Sequence, residues 1–360
     1  MSAELPSLLA TVPEIGHGNP QSARTVFDQL VKTGQFDQKR LITARFSVLP
    51  TKIYHKLMTS SLTRAEKYVQ DDGLRKSRLA EFLGRLMFKE MMLGNGRLLK
   101  KRPAWVLTQE FPLYEFTNDK ERLAQLFKQV FLLIPDSFPK DSALQLLFKL
   151  HPFVTPIVWL KQTYESLKNL NLEPLLVAPF LTPNLTESSF QNTVARHQYG
   201  VVKSSGSGTA KGLMPKLVAA TQSVLPNQPV YEYDTKKSSY HLPHNSYPII
   251  KPTLAEIYAK LSRARVISSY PSEIAMIAAT IASLGGKIDV LALPPRGRHE
   301  FDNLTFLKEL GIAIPLNYRD GKLGFYESGQ PDHETRTKRA HEAVGTEPIS
   351  QAILKIIRSS

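Results

Sequence analysis

A chain of 360 residues, 42% of them hydrophobic, can bury a full core and is most naturally divided into two domains. The absence of cysteine excludes disulfides, thiolate metal sites and thiol catalysis. A formal charge of +14 and a pI near 9.7 attract polyanions (nucleic acid, anionic lipid headgroups or phosphorylated substrates) without choosing among them.

No apolar run reaches the roughly 18 residues of a spanning helix. The start, "MSAELPSLLATVPEIGHG", lacks the basic head and long apolar core of a signal peptide. A cytoplasmic protein is therefore expected. In chain order, "LLATVP" is a short apolar run, "SARTVFDQLVKTG" an amphipathic helix ending near Gly34, and "RLITARFSVLP" the next strand. Further strands are predicted at 104–109 ("AWVLTQ") and 130–135 ("VFLLIP"), bounded by proline or polar residues as buried parallel strands often are. "PIVWLKQTYESLKNL" fits a strand, a helix or both.

Over 173–196 the prolines and turn formers change the texture to that of an interdomain linker. We place an N-terminal Rossmann-like domain at 1–178 and the linker at 179–198. The C-terminal Rossmann-like domain is placed at 199–330 and a tail with a docking helix at 331–360. After the linker the alternation restarts. "YGVVKSS" is followed by a helix from about 209, "PVYEY" by the helix "LAEIYAKLSRA", and "RVISS" by "SEIAMIAATIASLGG". "IDVLALPP" precedes the helix "FDNLTFLKELG", and "ISQAILKII" is weakly amphipathic. Strand–helix alternation predicts an α/β protein: two Rossmann-like domains whose parallel sheets face a cleft between them.

Four stretches carry candidate chemistry. Ser205, Gly206, Ser207 and Gly208 form a small turn between a strand and a helix, where backbone N–H groups suit an anion, with Lys203 and Lys211 nearby. The turn matches neither the Walker nor the dinucleotide pattern, and a tight connection of no chemical consequence reads equally well. Gly16, His17 and Gly18 follow the first strand, and His17 there suits a general base or a plain surface loop. Glu273 opens a helix, where it can complement the helix charge or reach into the cleft. The loop "PPRGRHEFDN" gathers Arg296, Arg298, His299, Glu300, Asp302 and Asn303 after a buried strand, or is a solvated loop capped by Asp302. The fourth stretch, 74–102, sets Leu79, Phe82, Leu83, Leu86 and Met87 at helical spacing between basic flanks. It reads as an interfacial helix on an anionic membrane surface, or as an ordinary helix docked on its own sheet.

Together these loops resemble the nucleotide-sugar-dependent glycosyltransferases of the GT-B fold. The likeness is greatest to the group holding the peptidoglycan lipid-linked N-acetylglucosaminyltransferase and the plant galactolipid synthases. Gly16, His17 and Ala23 are similar to that group's first loop and helix, and Ser205 to Gly208 to the turn that opens its second domain. Ser268, Ser269, Glu273, Pro294, Pro295, His299, Glu300, Asn303, Gly311 and Ala313 follow its order and spacing. The likeness covers about 200–316 well and 10–35 thinly. Pro13 and Glu14 stand where the family carries further glycines, and Tyr270-Pro271 where a glycine commonly precedes the glutamate.

The resemblance implies a metal-independent, inverting transfer from a UDP-type donor, held by the domain 199–330, to a hydroxyl of an acceptor met by the domain 1–178, lipid-linked as in that group, with no cofactor. It implies that Glu273 binds the ribose, and that Ser269, Arg296, Arg298, His299, Glu300 and Asn303 grip the donor. The Gly/Ser turn would steady the diphosphate and His17 would act as base. Asp136, just past a strand end in "IPDSFPK", is the rival base or a turn-forming aspartate. A sugar-nucleotide 2-epimerase of the same fold is the alternative. A nucleic-acid-binding protein fits less well, because the interleaved aromatic and basic residues it needs are not visible.

Overall fold

The computed structural model describes residues 5, 7–13, 19–44, 104–108, 120–139, 141–181, 199–203, 214–234, 246–250, 259–295, 298–319, 322–325 and 330–359. The loops 14–18 and 204–208, Arg296 and the basic stretch 74–102 therefore lie outside the described residues.

The first half carries the strands β1 (Ser7–Pro13), β2 (Gln38–Ala44), β3 (Ala104–Thr108), β4 (Phe127–Ile134), β5 (Val154–Val158) and β6 (Leu175–Leu176). They form one parallel sheet in the order β2-β1-β3-β4-β5-β6. Successive residues of a strand point to opposite faces, and at the centre of this sheet both faces are dry. Trp105, Leu107, Phe131 and Leu133 enter one core, while Ala104, Val106, Val130, Leu132 and Ile134 enter the other. That is why "AWVLT" and "VFLLI" read as unbroken apolar runs.

Four helices of this half are described: α1 (Asn19–Lys32), α2 (Lys120–Leu126), α3 (Asp141–Leu150) and α4 (Lys161–Asn169). Helix α1 stops where expected, because Gly34 takes φ 69° and its N–H bonds back to Val31. "PIVWLKQTYESLKNL" is a strand and then a helix, β5 followed by α4. The linker texture after residue 173 hides the two-residue strand β6, which pairs with β5.

The second half holds β7 (Gly200–Lys203), β8 (Val230–Asp234), β9 (Ser246–Ile250), β10 (Val266–Ser269), β11 (Asp289–Ala292), β12 (Ala313–Arg319) and β13 (Lys322–Phe325). Their order is β13-β12-β11-β10-β7-β8-β9, parallel except for β13, which pairs antiparallel with β12. The all-parallel expectation therefore fails at one edge. Strand β9 was not expected either. Its Pro248 cannot donate to a ladder and is accommodated on the outermost strand.

The described helices here are α5 (Met214–Val224), α6 (Glu273–Ser283), α7 (Arg298–Glu309), α8 (His333–Ala343) and α9 (Ile349–Ser359). Every residue of α6 is buried, because α8 packs over the side that a two-layer unit would leave wet. The single docking helix expected at the C-terminal end is thus two helices with separate tasks. Helix α8 covers α6, and α9 crosses back to α1.

That crossing is held by backbone. Leu160 and Val344 form an antiparallel bridge, Gly345 N–H donates to Trp159 O (2.9 Å), and Ala178 N–H donates to Glu347 O (2.7 Å). A Cβ on Gly345 would lie 2.5 Å from the carbonyl oxygen of Val177, a backbone atom with no rotamer to escape into. Gly345→Val is therefore expected to cost about 1–3 kcal/mol, read as a lower urea midpoint with an unchanged m-value. A wild-type midpoint would mean that the crossing yields without strain.

Candidate functional site

In an open α/β sheet, ligands bind beyond the carboxyl ends of the strands where the strand order reverses. The order reverses between β1 and β3 in the first sheet and between β7 and β10 in the second. At the second point β7 ends on Lys203 and β10 on Ser269, and α6 begins at Glu273. The first half reaches the same place with the start of α1 and the end of β4.

Two contacts join the halves there. Ser22 Oγ on α1 donates to Glu273 Oε1 (3.2 Å). Asn303, fully buried on α7, does more. Its amide donates to Asp136 Oδ1 (2.9 Å) and to Pro271 O (3.1 Å), and its carbonyl oxygen accepts from Ser137 N–H (2.8 Å). The segment it grips is fixed from behind, since Trp159 Nε1 donates to Pro135 O (3.0 Å) and Thr163 Oγ1 to Ser137 O (2.5 Å). Asp136 and Ser137 are themselves buried. The carboxyl end of β4 is thus a rigid platform against which α7 docks.

The electrostatics centre on Lys203. Its side chain is 4% exposed, and burial pushes its ammonium down to about 7, an effect that the Glu273 carboxylate partly offsets. Glu300 is buried with Asn303 on one face of α7. Among the described residues no group of three or more His, Asp or Glu side chains could hold a metal ion. No described helix is long and apolar enough to cross a membrane.

No protein-family model and no curated protein matches this sequence. Solved structures do. UGT2 of Phytolacca americana, in complex with UDP-2-fluoro-glucose and pterostilbene, superposes with a TM-score of 0.59 at 12% identity over 100% of both chains. SnogD, a glycosyltransferase from Streptomyces nogalater, gives 0.57 at 14% identity over 99% of both. MurG of Acinetobacter baumannii gives 0.52 at 13% identity over 99% of this chain and 100% of its own. The chain has the GT-B fold.

Within this GT-B frame the expected residues other than Arg298 and His299 separate into three sets. Glu273, Asn303 and Asp136 are brought to the junction of the halves. Asp136 is engaged by Asn303 there, in place of the free turn position that its sequence suggests. Ser269 and Glu300 are buried beside it, with the Ser269 hydroxyl turned back onto Tyr270 O (2.8 Å). Gly16, His17, Gly18, Ser205, Gly206, Ser207, Gly208 and Arg296 are outside the described residues.

The expected loop at 296–303 needs correction, because α7 already begins at Arg298. Glu300 in its first turn complements the helix charge, and Asp302 is no cap: it lies four residues after Arg298 at 3.9 Å. Helical spacing then divides the charged cluster, leaving Arg298 exposed, His299 half-buried, and Glu300 and Asn303 inside.

Sequence reasoning missed Ser22, Ser137, Trp159 and Thr163 as site builders, and noted Lys203 only as nearby charge. The serines and threonine carry no signal of their own. Lys203 did carry one, as the charge that ends the buried run "YGVVK".

Proposed function

We propose that this protein transfers a sugar from a nucleoside diphosphate donor to an acceptor hydroxyl. The observation that carries the reading is the junction itself. Two Rossmann-like sheets, in a chain with the GT-B fold, bring Ser22, Asp136 and Ser137 of one half against Glu273 and Asn303 of the other, at a switch point.

In this reading the nucleotide lies on the second half. Glu273 accepts from the ribose hydroxyls, much as it accepts from Ser22 in this structure. Arg296, Arg298 and His299 are assigned to the sugar and diphosphate, with the buried Glu300, Ser269 and Asn303 shaping the floor beneath them. The Ser205–Gly208 turn receives the leaving diphosphate by backbone N–H groups, without a metal. The acceptor oxygen attacks the anomeric carbon, the bond to the diphosphate breaks, and His17, flanked by Gly16 and Gly18, takes the acceptor proton. Such a base contributes about 10²–10⁴-fold. Asp136, fastened to Asn303, is assigned to hold the junction, with direct proton transfer as its second role. UDP as the nucleotide, inversion at the anomeric carbon, and an acceptor met at an anionic membrane surface by 74–102 belong to the same proposal and rest on the sequence.

The test is calorimetric titration with a panel of nucleoside diphosphates, UDP and GDP first, with and without EDTA. We expect micromolar binding of one of them, unaffected by EDTA, and weakened at least about tenfold in Glu273→Ala, as loss of charge-assisted hydrogen bonds requires. No binding by any of them would refute the reading. Conversion of a nucleotide sugar to its epimer in the absence of acceptor would replace it with epimerisation.

A further inference from the structure

Lysine is almost never fully buried unless something pairs with it. Lys203 is 4% exposed, yet within the described residues no hydrogen bond or ion pair engages its ammonium. Its place is equally specific, as the last residue of β7 at the β7/β10 switch point.

The pleat fixes the direction of its side chain. Val201, two residues earlier, enters the core cluster that includes Ile274, Ala275 and Ile277 of α6, whereas Val202 enters the opposite cluster with Met214 and Leu217 of α5. Lys203 therefore stands on the α6 side of the sheet, at the carboxyl edge. The start of α6 lies on that side, and its N-cap Ser272 makes no side-chain capping bond. Among the described residues the charged or titratable neighbours are few. Glu273 on α6 is close enough to act on it electrostatically but is turned to Ser22, and Tyr233 of β8 sits opposite Lys203 in register. Glu232 occupies the other face of β8, and the neighbouring Ser269 of β10 is neutral.

We propose that Lys203 is the counter-ion for the diphosphate of a nucleoside diphosphate in this chain, reaching it from beneath the switch point. The assignment rests on the glycosyl-transfer reading above. It accounts for a buried cation that, among the described residues, has only the Glu273 carboxylate acting on it from a distance.

One consequence follows for pH. In the free protein the ammonium gives up its proton near 7, and a diphosphate beside it favours the charged form. The complex then binds more protons than the free protein, so affinity falls as pH rises above that point, approaching about tenfold per unit. The ligand's own last phosphate ionisation, near about 6, lies below this window.

The experiment is calorimetric titration of wild type, Lys203→Met and Lys203→Arg with UDP and with uridine, from about pH 7 to about pH 9. Wild type is expected to lose UDP affinity across the range while uridine stays level. Lys203→Met should weaken UDP about tenfold or more at neutral pH, leave uridine unchanged and abolish the slope. Lys203→Arg, whose charge is permanent, should bind UDP without a slope.

Unchanged UDP affinity in Lys203→Met, equal losses for UDP and uridine, or a slope that survives in Lys203→Arg would overturn the assignment while leaving glycosyl transfer standing. Failure of the wild type to bind any nucleoside diphosphate would overturn both. Thermal unfolding controls for folding, since replacing a buried cation with an apolar side chain of similar length should leave the melting temperature at or above that of wild type. Were Lys203→Met not to fold, the slope in Lys203→Arg would decide.

Discussion

Asn303→Ala is expected to lower stability by about 3 kcal/mol and to open the two halves. One side chain makes three hydrogen bonds at a junction that excludes water. Deletion leaves the Asp136 carboxylate, the Pro271 carbonyl and the Ser137 N–H without their partner. An unpaired buried group costs about 1–3 kcal/mol, and one of these is a carboxylate. Opening the halves lets water reach them and limits the loss, so the two effects are alternatives for the same free energy. Urea denaturation measures the first, and an increased radius of gyration in small-angle scattering measures the second. Asn303→Asp is the sharper version, because it sets a second carboxylate against Asp136 with no change in shape. A variant with wild-type stability and wild-type dimensions would mean that the junction is held elsewhere.

The second large effect is expected far from that junction. Asp289, 6% exposed at the start of β11, accepts from Arg265 at Oδ2 and from Arg336 at Oδ1, each at 2.6 Å. Arg336 also donates to the Pro331 carbonyl (2.8 Å) and to Gln330 Oε1 (2.5 Å), so the cluster pins the start of α8 to the sheet. Asp289→Ala leaves two guanidinium groups facing each other. Removing one partner of a fully buried pair costs about 3–5 kcal/mol. Arg265 keeps some access to water, which argues for about 3 kcal/mol here. Hydrogen exchange of the α8 amides should rise more than that of β4, which belongs to the other sheet. Uniform acceleration across both sheets would mean that α8 has no independent stability.

Much of this architecture was legible because it rests on apolar runs. A strand buried on both faces is largely apolar, so β3, the "VFLLI" part of β4 and the "VLA" of β11 announced themselves, and β10 did so through Val266 and Ile267. Strands at the margins did not, because an edge position tolerates what an interior one rejects. Pro248 in β9 is a residue that only an edge admits, and at the opposite margin β13 pairs antiparallel with β12, where the strand–helix rhythm no longer holds.

The site was legible only in part, for a related reason. Glu273 and Asn303 stood out as polar residues beside buried strands. Ser22 and Ser137 matter because α1 and β4 bring them across from the other half, 251 and 166 residues away in sequence from the partners they meet. No local pattern encodes that distance. The reading of 296–303 as a loop failed because charge density outweighed helical spacing, although Glu300 and Asn303 sit three apart on one buried face.

The return of the chain through Val344–Glu347 has a mechanical consequence. Polypeptide passes between the halves twice, once between residues 181 and 199 and again where Gly345 and Glu347 pair with Trp159 and Ala178. A body tethered at one point can swivel in any direction; one tethered at two can only swing about the line that joins them. Any opening of the cleft in this protein is therefore a door on two hinge pins. The Asn303 cluster is its bolt, and residues along the axis travel least while those at the strand ends travel furthest.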